Sequence, residues 1–355
     1  MPTIDRRRFL ASGALLGGAV AAGAWPRSSA LAQVNPSADP AALDLITPAA
    51  QSAIDQGLQF LAARQHEDGA FGSGGYARNV AVCGLSGMAF MSSGSTPGRG
   101  PMGENVARCV EFLLANTEES GFIVVPGSTS HGPMYGHGFA ALFLAECYGM
   151  SPRADVRAKL SKAVELIVET QNDEGGWRYQ PQRRDADLSV TICQVMALRA
   201  ARNAGLHVPR ETIDRCVDYV KRSQNADGGF MYMIQGGQSQ FPRSAAGVVA
   251  LYSAGIYEGP EIEKGLSYLM QFMPRGGAYN RESHYFYGHY YAVQAMWHAG
   301  AEHWAKWYPA IRDELIARQR KEDGAWMDSI CPEYGTAMAC IILQMPNNYL
   351  PIFQR

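Results

Sequence analysis

Six side chains suited to proton transfer or anion binding recur along the chain at intervals of roughly fifty residues. They are Asn79, His137, Asp187, Arg243, His289 and Glu333, each at the opening of an apolar helical run. Asp187 and the two histidines are of the types that move protons, and Arg243 is of the type that neutralises an anion. These four form the candidate catalytic set. The histidines sit in near-identical tripeptides, Tyr135-Gly136-His137 and Tyr287-Gly288-His289. Tyr135, Tyr287 and Tyr290, with Asn79 and Glu333, form the candidate substrate-binding set, and His131 and His284 could line its rim. A plainer account also exists: Asn and Asp cap helices routinely, for about 1 kcal/mol each. Capping suits Asn79 and Asp187. It does not suit Arg243, whose cation sits badly at a positive helix end.

These residues need elements that bring them together, and an internal repeat supplies such elements. Each unit opens with an amphipathic helix that ends near a Gln and a turn. The turns begin at Gln65, Thr117, Gln171, Gln224, Met273 and Gln319, with a glycine at or just before an aromatic: Phe71, Phe122, Trp177, Phe230, Tyr279 and Trp326. Eight residues before the Gln slot stand Gly57, Cys109, Ala163, Cys216 and Gly265, all small, whereas the sixth helix has Ile311. A second helix follows each turn and is apolar on all sides, so it must be buried, while the first has a charged face. The expected fold is all-α, an (α/α)6 toroid over 51–343, with residues 33–50 as an N-terminal segment and 344–355 packing across the ring. Ring closure would gather the six helix openings around one mouth, where helix N-termini favour anionic groups.

The run Gln171-Asn172-Asp173-Glu174-Gly175-Gly176-Trp177, with its relatives at 65, 224 and 319, resembles the Gln-Trp repeat of squalene cyclases and protein prenyltransferase β-subunits. That resemblance implies the toroid. It also implies a proton-donating role for Asp187, because Asp185-Ala186-Asp187-Leu188 is similar to the Asp-x-Asp-Asp of class II terpene cyclases, with Leu188 in place of the last Asp. The prenyltransferase zinc site has its His counterpart in the Tyr287-Gly288-His289 segment, but its Asp and Cys are missing where Phe241-Pro242-Arg243-Ser244-Ala245 stands. No metal is expected, and no cofactor. The seven cysteines include no C-x-x-C pair and no zinc-ribbon spacing.

Asp5-Arg6-Arg7-Arg8-Phe9-Leu10, a soft apolar run to Trp25, and Ala30-Leu31-Ala32 have the pattern of a cleaved twin-arginine signal over residues 1–32. The expectation is export to the periplasm or beyond, with the twin-arginine machinery as the precursor's partner and no transmembrane span in the mature chain. Acids slightly outnumber bases and there is no basic run, which argues against nucleic acid. The partner expected in the central cavity is a small hydrophobic or anionic ligand. Three readings follow. In the first, an isoprenoid enzyme uses Asp187 as general acid beneath cavity aromatics. In the second, a polysaccharide lyase uses Asn79, His137, Arg243 and a tyrosine on a uronate. The third is a non-catalytic binding or scaffold toroid.

Overall fold

The alternation of half-charged and apolar helices resolves, in a computed structural model, into two concentric rings. Residues 45–128, 131–275 and 283–354 are described. The expected signal peptide, most of the 33–50 segment and Tyr279 of the fifth turn lie outside them. Among the described residues the outer helices are α1 (Pro48–Arg64), α3 (Gly103–Ala115), α5 (Ala154–Thr170), α7 (Arg210–Arg222), α9 (Pro260–Met270) and α11 (Ala301–Arg318). The inner helices are α2 (Val80–Ser92), α4 (Pro133–Met150), α6 (Leu188–Asn203), α8 (Phe241–Ser253), α10 (Tyr285–Ala299) and α12 (Pro332–Leu343). Each inner helix packs on the next, and α12 packs on α2, so the ring closes. Burial follows the sequence pattern. α7 buries only Thr212, Cys216, Tyr219 and Val220 along one stripe, whereas α2 is buried almost throughout.

The repeated Gln is the joint between units. Gln171 Nε2 donates to Gly175 O of its own turn and to Thr212 O of the next outer helix, both at 2.9 Å. Gln65 and Gln224 make the same pair of bonds. Gln319 Nε2 reaches Gly324 O and then Ala53 O of α1 at 2.9 Å, which ties the sixth unit to the first. Gly175, at φ 98°, lies so close to the α7 backbone that a Cβ would stand 2.2 Å from Arg215 O. Only glycine fits there. The small residue eight places before the Gln has a similar cause: a Cβ on Gly57 would meet Cys340 Sγ and the Trp326 ring at 2.7 Å.

After the turn, one residue is driven into the space between the rings. Trp177 and Trp326 are fully buried, and each indole N–H donates at 2.7 Å to a last-turn carbonyl of its own outer helix, Ile167 O and Leu315 O. In the second unit the backbone pattern corrects the expected Phe122. The turn bond Glu118 N–H to Phe122 O matches Asn172 N–H to Gly176 O, so Ile123 occupies the slot of Trp177 and is fully buried.

Candidate functional site

Proline begins several inner helices earlier than side-chain chemistry suggests. Pro133, Pro242 and Pro332 stand in the first turns of α4, α8 and α12, where a missing N–H costs nothing. His137 therefore lies one turn inside α4, and His289 lies one turn inside α10, which begins at Tyr285 after His284 in the left-handed region. His137 is fully buried: its Nδ1 accepts from Ile123 N–H at 3.2 Å and its Nε2 faces Ala163 O at 3.2 Å. Thr191, Ser244 and Thr336 do the same work in their units, each accepting the N–H of the buried turn residue, Trp177, Phe230 or Trp326. His137 is thus a structural acceptor between the rings. Burial lowers its pKa to about 4, with the Ala163 contact opposing. His289 occupies the same register, boxed by Phe241, Tyr285 and Trp307, and burial together with Arg318 lowers it to about 3. The repeated Tyr-Gly-His has a packing reason at its centre. A Cβ on Gly136 would stand 2.8 Å from Val80, and one on Gly288 would stand 2.8 Å from the Phe241 ring.

Two residues before that buried position, the helix faces the other way. Ala81, Tyr135, Ser189, Pro242, Tyr287 and Tyr334 hold this register in the six units, and all six line one cavity of about 380 Å³ at the N-terminal mouth of the inner ring. Helix periodicity separates residues i and i+2 by about 200°, so one points inward and the other outward. The mouth is completed by Tyr76, Asn79, Phe139, Tyr179, Tyr232, Arg243, His131 and His284. Tyr179 and Tyr232 each follow a buried turn residue by two places. Their backbone carbonyls accept from Met134 N–H and Leu188 N–H at 3.0 Å, and their hydroxyls hydrogen-bond each other. Tyr76 likewise bonds and stacks on His131.

Of the nine expected site residues, Asn79, Tyr135, Arg243 and Tyr287 line the cavity, and His137, His289, Tyr290, Glu333 and Asp187 do not. Glu333 is buried at the seam, accepting from Arg64 Nε at 3.0 Å and Ser73 Oγ at 2.8 Å. Against the upward push of burial, Ser73 and Arg64 hold its carboxyl below the usual range. Tyr290 is buried against Phe139 and Tyr291 beneath the cavity floor. Asn79 lines the cavity but spends Oδ1 on capping α2 through Ala81 and Val82 N–H. Asp187 caps α6, its Oδ1 accepting from Val190 N–H at 2.9 Å. Its Oδ2 faces Arg178 Nε at 3.8 Å. The group is wholly buried behind the wall, and burial raises its pKa to about 6 against the pull of the Val190 N–H and the Arg178 guanidinium.

The wall carries seven aromatic rings: Tyr76, Tyr135, Phe139, Tyr179, Tyr232, Tyr287 and Tyr334. Burial holds the Tyr76, Tyr135, Tyr232, Tyr287 and Tyr334 hydroxyls above their ordinary range, so they stay neutral. No Asp or Glu is among the described residues that line it. Arg243 lies over the Tyr232 ring at 5.7 Å, and its Nη2 donates to Gln238 O at 3.0 Å. It forms no ion pair with a described carboxylate. The cavity therefore offers π faces, neutral tyrosine hydroxyls, the His131 and His284 imidazoles and a guanidinium, with the Tyr287 hydroxyl already donating to Ser189 O at 2.7 Å. Among the described residues, no group of His, Cys, Asp and Glu is arranged to hold a metal ion. No described helix is long and apolar enough to cross a membrane.

A family model described as the prenyltransferase alpha-alpha toroid domain matches residues 41–161 and 152–325. No curated protein matches the chain in sequence. Among solved structures the chain is similar to a variant of the type II terpene cyclase MstE from Scytonema in complex with geranylgeranyl dihydroxybenzoate, at 15% identity and TM-score 0.61, covering 85% of this chain and 98% of that one. It is as similar to a GH76 alpha-mannanase from Bacteroides thetaiotaomicron, at 12% identity and TM-score 0.62, covering 84% and 96%. An alpha-amylase from Clostridium perfringens matches at 9% identity and TM-score 0.60, covering 82% and 97%. At these identities the likeness is one of fold.

Proposed function

From the premise that the chain belongs to the prenyltransferase alpha-alpha toroid domain family, we propose that it takes up an isoprenoid-type lipid in the central cavity. The hydrocarbon lies against the tyrosine wall and an anionic end meets Arg243. One observation carries this reading: seven aromatic rings enclose the cavity while no described carboxylate faces it. Hydrolysis of a glycan in the usual manner needs two carboxyl groups on opposite sides of the scissile bond, so the glycosidase-like neighbours offer no mechanism here. A uronate lyase needs a tyrosine or histidine ready to accept a proton. Burial pushes the Tyr135 and Tyr287 hydroxyls the wrong way and His137 is spent between the rings, so such a reading would have to rest on His131 or His284 at the rim, of which His131 is already hydrogen-bonded to Tyr76. Aromatic faces and a guanidinium suit a polyene with an acidic end.

The raised pKa of Asp187 favours a second reading, in which the same ligand is cyclised after protonation of an alkene by Asp187. Oδ1 is occupied by its cap, so the proton would leave from Oδ2, which lies beside the Tyr232 side chain of the wall. Export by the twin-arginine route belongs to the proposal as well and rests on the sequence of residues 5–32 alone.

The test is to purify the exported protein, extract retained lipid for mass spectrometry, and titrate farnesyl and geranylgeranyl phosphates against intrinsic fluorescence. Saturable binding of the prenyl phosphates is expected. Binding of uronic-acid or mannose oligomers with none of the prenyl compounds would replace the proposal. Cyclised product that disappears in Asp187→Asn would establish the second reading, and turnover surviving that substitution would remove it.

A further inference from the structure

The far end of the ring is crossed by the chain's last residues. Gln344 Nε2 donates to Ala89 O at 3.1 Å and Asn347 Nδ2 to Ser92 O at 3.0 Å, both at the C-terminal end of α2. Leu350, Ile352 and Phe353 of the same segment are buried. Two further anchors are charged or ionisable groups drawn from the core. Glu146 near the end of α4 accepts Ile352 N–H on Oε2 at 3.3 Å, and Arg199 near the end of α6 donates through Nη2 to Gln354 O at 2.5 Å. Both side chains are nearly inaccessible, 2% and 6% exposed. They belong to adjacent inner helices, yet each is spent on the backbone of the terminal segment and they form no ion pair with each other. Arg199 also bonds Tyr252 O and the Tyr257 hydroxyl.

These two helices carry the cavity wall at their other ends: Tyr135 and Phe139 on α4, Ser189 on α6. We propose that residues 344–354 are a releasable strap, latched by Glu146 and Arg199, which opens when the Glu146 carboxyl loses its proton and thereby loosens α4 and α6 up to the cavity. The groups facing Glu146 are Arg199 from α6, Tyr290 from α10 and the neighbouring Cys147. Arg199 is the single cation among them and is already engaged by the strap. Burial raises Glu146 to about 8, with the Ile352 N–H and Arg199 opposing. Neutral, it fits an apolar setting. Ionised, it is a buried charge with one backbone N–H and no cation within ion-pair distance, Arg199 being held by the strap, and water must enter to solvate it. A carboxyl raised in the folded state stabilises the fold fully below its unfolded pKa, and the benefit is lost as pH climbs through about 8. The strap is therefore closed at neutral and acidic pH and released on the alkaline side.

Hydrogen exchange of the full chain, corrected for base-catalysed intrinsic exchange, is compared at about pH 6.5 and about pH 9. Peptides spanning 345–354 are expected to lose roughly tenfold in protection in the wild type. Those spanning 133–139 should loosen with them, while Glu146→Gln keeps both protected. Equal protection of the strap at the two pH values, or parallel loss in Glu146→Gln, would overturn the latch. Strap loss with 133–139 unchanged would overturn its transmission to the cavity. If Glu146→Gln does not fold, carboxypeptidase trimming of the wild-type C-terminus decides: acceleration across the same window supports release, and a constant rate refutes it.

Discussion

Tyr135 and His137 stand two residues apart on α4 and face opposite compartments, the tyrosine into the central cavity and the histidine into the packed layer between the rings. The same division separates Tyr287 from His289 on α10. The repeated tripeptide joins a wall residue, a close-approach glycine and a structural histidine. Neither histidine lines the cavity.

The first consequence is a pH dependence of folding. Burial lowers His137 to about 4 and His289 to about 3, below the ordinary value of 6.5. Histidines depressed in this way stabilise the fold above their unfolded pKa, and that stability is lost as pH falls from 6.5 towards the folded values. For His137 the loss is on the order of 3 kcal/mol. His137→Gln offers an amide oxygen to Ile123 N–H and an amide N–H to Ala163 O. Urea unfolding at several pH values should show it folded, with an acid slope shallower by about one proton. An unchanged slope would mean that His137 is protonated in the native state.

The seam makes a second prediction, in which Gln319 and Gln171 are compared. Each donates from one amide to two backbone carbonyls, one in its own turn and one in the neighbouring outer helix. Replacing either by Leu removes both bonds and should cost about 2 kcal/mol. Denaturant midpoints should fall similarly for the two variants, because a closed ring treats its last joint like any other. A Gln319→Leu midpoint equal to wild type, beside a lowered Gln171→Leu midpoint, would show that the ring opens at this seam in solution.

Most of the fold was legible because the repeat writes it several times over: a Gln, a turn glycine and a buried large aromatic mark the joints at 65, 171, 224 and 319. The site was legible only in part. Lining up the inner helices by chemical interest places Asp187, His137, Arg243 and Glu333 together, although they occupy different registers. The buried turn residue lies 14 positions before its polar acceptor in the units of His137, Thr191 and Ser244, but 10 before Thr336. Loop length varies, so no fixed offset finds the wall. Tyr179 and Tyr232 carried a usable signal, each standing two places after a buried aromatic. Tyr76 and Tyr334 carried none, because their place depends on how the loop and the helix entry fold. His131 and His284 were anticipated at the rim and do line it.

Arg243 supplies the third prediction. It contributes a guanidinium to the cavity wall and has no described carboxylate as partner. A charge-assisted contact with an acidic head group should be lost in Arg243→Gln. Affinity for geranylgeranyl phosphate is expected to fall roughly tenfold or more, while affinity for uncharged geranylgeraniol holds. Calorimetric titration of both compounds against both proteins reads the difference. Equal weakening for phosphate and alcohol would assign Arg243 to shaping the wall through Tyr232 and would remove the anionic end from the proposed ligand.

The wall register itself can be tested where it carries the smallest side chain. Ala81 holds on α2 the place that Tyr135 holds on α4, and Cys83 holds the place of His137. A phenyl ring added at position 81 would grow into the open cavity, displacing ligand while meeting little protein. Ala81→Phe should therefore unfold within about 0.5 kcal/mol of wild type and bind prenyl phosphate poorly or not at all. The same ring at position 83 enters close-packed space between α2 and α3, where overpacking costs typically 1–3 kcal/mol, so Cys83→Phe should be the destabilised variant. Thermal unfolding and ligand titration of the pair separate the two faces. If Ala81→Phe is the less stable protein and Cys83→Phe the one that loses ligand, the inward and outward faces of the inner helices are assigned the wrong way round, and the tyrosine wall with them.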